Sequence, residues 1–265
     1  MRAYDNRIKY YELLMKYDNI EQYKKYELPK GFHYEFYKLG DEEEWIKIHI
    51  ESGEFTSFEK GLKYFHDFYD YFIDELPKRC IFIVDDITKE KVGTATISLL
   101  KETEYGYNGA IDWLAIKKSY QGRNLSKPLI SKIVEVANGL GHDKLILHTQ
   151  TTTWLAGKLY LDYGFEILNT EEKTGWSILK TLTNHLKLSQ YDKLPPEEIY
   201  DTRNIEIERQ LVEIYGTDEF NYSVWYKDGL HNVYTYFDGN TYEYKYFIKD
   251  GILYLEEVIG KKNNK

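Results

Sequence analysis

Ala110-Ile-Asp-Trp-Leu-Ala-Ile-Lys-Lys-Ser-Tyr-Gln-Gly-Arg-Asn-Leu-Ser126 reads as a short apolar strand, a sharp polar turn and the opening of a helix. Ala110, Asp112, Leu114 and Ile116 alternate with Ile111, Trp113 and Ala115. Both sets are largely apolar, as in a strand covered on two faces. From Leu125 the period changes. Leu125, Leu129, Ile133 and Val136, joined by Ile130, Ala137 and Leu140, recur three and four apart and predict an amphipathic helix that stops at Gly139 or Gly141. A strand feeding a sharp turn into a helix start leaves several backbone N–H groups unpaired and pointing one way. With the helix dipole behind them they favour an anion, most often a phosphate. The turn is not a P-loop, because Ser126-Lys127-Pro128 stands where Gly-Lys-Ser/Thr is required. With Gly122 as its only glycine it is not the dinucleotide fingerprint either.

Here the sequence resembles the GNAT acetyltransferase superfamily, whose signature is a strand followed by Gln/Arg-x-x-Gly-x-Gly/Ala at a helix N-terminus. Gln121, Asn124 and Ser126 fill the three signature positions, with Asn and Ser replacing the smaller residues. Asn tolerates positive φ better than most residues, and Ser is barely larger than Ala. A second block supports the resemblance. The strand Lys144–Thr149 leads into Thr153-Trp-Leu-Ala-Gly-Lys-Leu-Tyr-Leu-Asp-Tyr-Gly-Phe165, similar to the superfamily's Asn-x-x-Ala-x-x-Leu-Tyr-x-x-x-Gly-Phe helix with Thr153 at the usual Asn. The resemblance covers about residues 28–185. Phrases such as Ser52-Gly-Glu-Phe55, Val92-Gly-Thr-Ala-Thr96 and Thr149-Gln-Thr151 are similar to bacterial members of undefined substrate.

The resemblance implies an α/β fold, a mixed sheet with helices, and acetyl-CoA as co-substrate. It implies that backbone groups of Leu114, Ala115 and Ile116 hold the pantetheine arm. Residues Gln121, Gly122, Arg123, Asn124, Leu125 and Ser126 then hold the diphosphate, with Thr153 also against the coenzyme. Tyr160 matches the tyrosine that protonates the departing sulfur, and Asp112 stands near the place of a base or of a group that orients the acceptor. Glu54, Phe55 and Trp113 are the candidates for the acceptor cleft.

With 265 residues, 42% hydrophobic and 17% aromatic, the chain can bury a sizeable core. The net charge of −9 disfavours nucleic acid and anionic membrane surfaces as partners. No apolar run approaches eighteen residues and no signal-peptide pattern opens the chain, so a cytoplasmic protein is expected. Cys80 is the single cysteine, and the seven histidines show no metal-ligand spacing, so no metal is expected.

In chain order, residues 1–30 form a tyrosine-rich extension packed on the core, either a short helix or an added strand. An acetyltransferase domain is expected over 31–187. It holds a strand at Phe32–Leu39, Asp41 as helix N-cap, and an aromatic-rich helix from Ser57 to Leu76. A hairpin of Cys80–Asp85 with Val92–Leu100 follows, and Gly175–Leu182 is expected to pair as a strand with Glu166–Ile167. Residues 188–265 read as a small C-terminal antiparallel β domain: a helix near Pro196–Ile207, then four alternating strands separated by Asp228-Gly229, Asp238-Gly239 and Asp250-Gly251.

The function expected is acetyl transfer to a primary amine of a small molecule or peptide, with a homodimer allowed for. An alkyl amine with a pKa near 10.4 is neutral at pH 7 roughly once in 2,500 molecules, so binding only that form costs ~4–5 kcal/mol unless the site assists. Two rivals are a non-catalytic acyl-CoA-binding protein and an assembly module acting through the C-terminal sheet.

Overall fold

Seven strands build the main sheet in the order β2-β3-β4-β5-β6-β1-β7 in a computed structural model that describes residues 4–99, 106–107, 109–227 and 229–261. They are β1 (Glu12–Asp18), β2 (Phe32–Phe36), β3 (Cys80–Asp85), β4 (Lys91–Leu99), β5 (Gly109–Ile116), β6 (Lys144–Gln150) and β7 (Glu166–Ile167). Only β5 and β6 pair in parallel; the other neighbours are antiparallel. The helices of this part are α1 (Glu42–Ser52), α2 (Phe58–Tyr69), α3 (Leu76–Arg79), α4 (Ser126–Gly139), α5 (Trp154–Tyr163) and α6 (Lys173–Thr183).

Strand β3 shows why the sheet needs helices on both faces: all six of its residues are buried. Cys80, Phe82 and Val84 join Trp45, Phe65 and Tyr69 of α1 and α2, whereas Ile81 and Ile83 join Leu129, Ile133 and Leu161 of α4 and α5. Each such aliphatic or aromatic side chain contributes roughly 1.5–3 kcal/mol by leaving water.

The alternation expected along the central strand fails at Trp113. Thr96 lies opposite Asp112 and Thr94 opposite Ala115, so Trp113 and Leu114 together face Ala95 in a β-bulge, with Trp113 at φ 50°. Ile111 therefore shares a face with Leu114 and Ile116, while Trp113 and Ala115 turn to the α1–α2 side. A strict period of two would have put Ile111 and Trp113 together. Parallel pairing with β6 is confined to Ala110 opposite Ile146 and Ile111 opposite Leu147. Beyond that point the two strands part.

Several expectations are corrected. Residues 173–183 are a helix, not a strand: Trp176, Ile178, Leu179 and Leu182 recur at helical spacing, and the Glu172 carboxylate caps the first turn by accepting from the Gly175 N–H. The antiparallel partner of Glu166–Ile167 is instead β1, which also pairs over its whole length with β6. The tyrosine-rich lead segment thus supplies an added strand, with Leu13 and Met15 fully buried. Asn169 closes its free edge, accepting from the Leu14 N–H at 2.9 Å and donating to the Glu12 carbonyl at 3.2 Å. The expected aromatic helix from Ser57 is shorter than predicted, and gives way after Tyr69 to 3-10 turns kinked at Phe72. Asp41 takes the N-cap position of α1, yet its carboxylate accepts from the Lys38 N–H and pairs with Lys91 rather than capping.

After α7 (Pro196–Ile199), helix α8 (Thr202–Tyr215) covers one face of a four-stranded antiparallel meander, β8 (Asn221–Lys227), β9 (Leu230–Phe237), β10 (Asn240–Lys249) and β11 (Ile252–Lys261). Asp238 and Gly239 have φ 47° and 75°, and Asp250 and Gly251 have φ 51° and 77°, the conformation that tight hairpin turns demand of both central residues. Asp228 lies outside the described residues, as do Leu100 and residues 262–265.

Because Leu13 is fully buried, beside β6 and against Gly175 of α6, Leu13→Ala should cost about 2–5 kcal/mol in urea unfolding. An unchanged midpoint would show that the lead segment is not part of the sheet.

Candidate active site

The parted edge of β5 leads directly to the phosphate-type turn. Lys117 donates its N–H to the Val92 carbonyl at 2.9 Å, toward β4. Since backbone groups of successive strand residues point to opposite edges, those of Ile116, and of Leu114 two residues before, face the gap that β6 has left. The Ile116 carbonyl already accepts from the Gln121 side-chain amide at 3.0 Å. A 3-10 turn at Lys118–Tyr120 follows. Then Gly122 at φ 77° and Asn124 at φ 61° reverse the chain into α4. Asn124 thus adopts the left-handed backbone that its side chain tolerates. Among the described residues, nothing accepts a hydrogen bond from the N–H groups of residues 122–127. A Cβ built on Gly122 meets nothing within 4 Å, so the space over this loop is open. These donors at the mouth of a fourteen-residue helix fit a diphosphate. Leu125 is buried and anchors the loop, whereas Arg123 folds back onto it, donating to the Ser119 carbonyl at 3.2 Å with its guanidinium 4.4 Å from the Tyr120 ring centre.

Thr153 serves its own turn. Its hydroxyl donates to the Gln150 carbonyl at 3.1 Å and, with the Gln150 side chain, forms a reciprocal cap on the 3-10 turn Thr151–Thr153 that leads into α5. Seven residues on, Tyr160 is 7% exposed with its ring edge-on to Phe165. Burial pushes its hydroxyl above the ordinary tyrosine range, and the charges of Glu54 and Asp112 push the same way. Asp112 sits half-buried at the foot of the bulge, opposite Thr96. Burial raises its pKa, opposed by a hydrogen bond from the Ser98 hydroxyl and by the neighbouring His148. His148 is exposed and tied to Glu12 at 2.9 Å.

The remaining cleft candidates meet around one imidazole. Gly53, at φ 96°, ends α1, and its turn brings Glu54 back over the last helical turn. There the Glu54 carboxylate accepts from Nδ1 of His49 at 2.5 Å. Trp113, Trp45 and Phe55 surround that imidazole with ring centres 4.2–5.6 Å away. Phe55 itself is 5% exposed and stacks on Tyr64, as a core residue does. Tyr4, from the lead segment, stands near Glu54, whose charge helps raise its hydroxyl pKa.

Residues 43–165 match the model of the acetyltransferase (GNAT) family. This stretch is a GNAT acetyltransferase domain. Among solved structures, the chain is similar to an N-acetyltransferase from Sphaerobacter thermophilus at 17% identity and TM-score 0.49, over 61% of this chain and 49% of that one. It is also similar to a GNAT-family acetyltransferase from Colwellia psychrerythraea at 10% identity and TM-score 0.46, over 61% and 55%. A third is glucosamine-6-phosphate N-acetyltransferase from Arabidopsis thaliana, at 14% identity and TM-score 0.37, over 50% and 90%. The chain spans about half the length of the first of these.

The C-terminal sheet docks on the GNAT domain at the turn that carries Glu54. Asn221 donates to the Ile50 carbonyl at 2.8 Å and the buried Thr241 to the Thr56 carbonyl at 2.7 Å. The Lys60 ammonium sits 3.3 Å from the Tyr234 ring centre, and Tyr236 packs on the aromatic cluster of α1 and α2. A shallow crevice lined by Tyr4, Ser52, Gln121 and Asn221 runs between the sheet and the loop after β5. His49 and Tyr4 escaped the sequence reading. The signal for His49 was available: a histidine on the apolar stripe of Trp45 and Ile46, five residues before Glu54 across a helix-ending Gly. Among the described residues no helix is long and apolar enough to cross a membrane, and no group of His, Cys, Asp or Glu is placed to hold a metal.

The folded state favours the protonated form of Asp112. Its carboxylate thus weakens the fold progressively as pH rises above the ordinary value of 3.8. Asp112→Asn should raise the melting temperature at pH 7, and the gain should vanish as pH falls toward that value. A gain of equal size at both pH values would remove burial of the charge as its cause.

Proposed function

We infer that this protein is an acetyl-CoA-dependent N-acetyltransferase acting on a primary amine of a small molecule or peptide. The observation that carries the reading is the continuity of two features: the open edge of β5 after Ile111, and the loop at 122–127 whose amides have no acceptor among the described residues. Bound acetyl-CoA supplies an acyl group activated as a thioester. Gly122, Arg123, Asn124, Leu125 and Ser126 donate backbone hydrogen bonds to its diphosphate, with Gln121 bracing the loop through Ile116. Backbone groups of Leu114, Ala115 and Ile116 hold the pantetheine arm along the gap and aim the carbonyl carbon at the acceptor. Thr153 keeps the start of α5 in place beside it.

Tyr160 remains protonated through neutral pH and gives its proton at the departing sulfur. Its pKa exceeds that of a thiol, near 8.5, so it acts as a hydrogen-bond donor until negative charge builds there. Asp112, on β5, draws the acceptor ammonium toward the thioester and orients it. Trp113, turned out of the sheet by the bulge, walls the acceptor side. The protein is read as cytoplasmic, in keeping with its acidic charge and lone buried Cys80.

Thermal-shift titration with acetyl-CoA followed by a thiol-release assay over an amine panel tests the reading. Stabilisation with acceptor-dependent release is expected; stabilisation without release on any amine points to a non-catalytic acyl-CoA-binding protein. In the same assay Tyr160→Phe should lower kcat by roughly 10²-fold while coenzyme affinity holds. An unchanged rate would remove Tyr160 as the proton donor.

A further inference from the structure

His49 is 0% exposed, lies among Trp45, Phe55 and Trp113, and has an Nε2 with no hydrogen-bond partner among the described residues. Buried polar groups are usually paired, so an imidazole kept in such a place calls for a reason. Holding the turn after α1 is not that reason. The N–H groups of Gly53, Glu54 and Phe55 already donate to the His49 and Ile50 carbonyls, and Asn221 braces Ile50 from the C-terminal sheet. What the imidazole does hold is one carboxylate oxygen of Glu54, at 2.5 Å. The other oxygen has no hydrogen bond from a described residue, and the Glu54 side chain is 28% exposed. Ser52 and Gly53, the two residues before it, line one crevice with Tyr4 and with Lys118 and Gln121 of the loop after β5.

We propose that Glu54, aimed by the buried His49, binds the acceptor ammonium and takes its proton before acetyl transfer. This rests on the acetyltransferase reading and divides the work of the two carboxylates. Asp112 accepts from the Ser98 hydroxyl within the sheet, whereas Glu54 stands at the open side with a route for the proton to water. In the step, an N–H bond of the ammonium breaks and an O–H bond forms on Glu54, leaving a neutral amine and a neutral carboxyl group. Solvent then removes that proton. The second proton shed by nitrogen after attack balances the one that Tyr160 gives to sulfur, so the net release is one proton per transfer. His49 is a positioning residue: its Nδ1–H fixes the orientation of Glu54 and touches no reacting atom. The ligand class is a primary alkyl ammonium approaching between Trp113 and Tyr160.

The test uses the full chain with 15N-labelled histidine and n-butylammonium as probe, without an acetyl donor. The His49 ring signals should move on addition of the probe and stay fixed in Glu54→Gln, a substitution at a partly exposed site. No movement in the parent, or equal movement in Glu54→Gln, overturns the proposal. Coenzyme A affinity, measured separately by calorimetry, reports on the underlying acetyltransferase reading, so the two fail independently. In turnover with an alkyl amine, Glu54→Gln and His49→Phe should each lower kcat/KM by about 10²-fold. His49→Asn, which keeps a donor near the Nδ1 position, should return to within about tenfold of the parent. With an alkoxyamine acceptor, already neutral at pH 7, the Glu54→Gln loss should fall below about tenfold; equal losses on both acceptors contradict proton removal by Glu54.

Discussion

The parting of β5 from β6 is the constraint on which the site depends. Two parallel strands that paired along their full length would consume the backbone groups of residues 112–116. The bulge at Trp113 prevents this by bending β5 away after Ile111, at the cost of a tryptophan held at φ 50°. Strain of that kind is worth about 1–3 kcal/mol and persists only where the surroundings enforce it. Here Trp45, Phe55, Tyr64 and Phe68 grip the indole with ring centres 5.3–5.9 Å away. Core packing on one face of the sheet thus opens a row of hydrogen-bonding groups along its edge.

From that opening the two halves of the site follow separately. The phosphate side is a backbone device: positive φ at Gly122 and Asn124 turns consecutive amides toward open space, and buried Leu125 fixes the loop to α4. An anion bound there, as proposed, would be held with little help from side-chain charge, which suits a chain of net charge −9. The acceptor side proposed above draws on side chains from three remote segments. Glu54 comes from the end of α1, Tyr4 from the lead segment and Tyr160 from α5. The C-terminal sheet braces the first of these through Asn221 and Thr241, so the turn bearing Glu54 is held from both sides.

How much of this the sequence disclosed depended on whether the controlling interaction was local. The loop at 121–126 and the helix ending at Tyr163 are legible because turn, glycine and helical period lie within a few residues of one another. The Asp-Gly hairpins are legible for the same reason. The place of β1 is not: its pairing joins Glu12 to Gln150 and Met15 to Ile167, and no local signal encodes a partner so far away. Residues 173–183 misled because Trp176 and Ile178 alternate while Leu179 and Leu182 complete a helical stripe. The bulge was hidden because Trp113 keeps the apolar alternation that the backbone itself breaks. Glu54 stands out in the sequence only as a cleft candidate, and its bond to His49 emerged only once Gly53 had reversed the chain.

The most direct measurement of the central claim is an amide 1H–15N titration of the whole chain with coenzyme A. The account predicts that the largest shifts fall on the amides of residues 122–127, which have no protein acceptor to give up. Saturable binding that leaves those amides unmoved, with shifts gathered elsewhere, would contradict it.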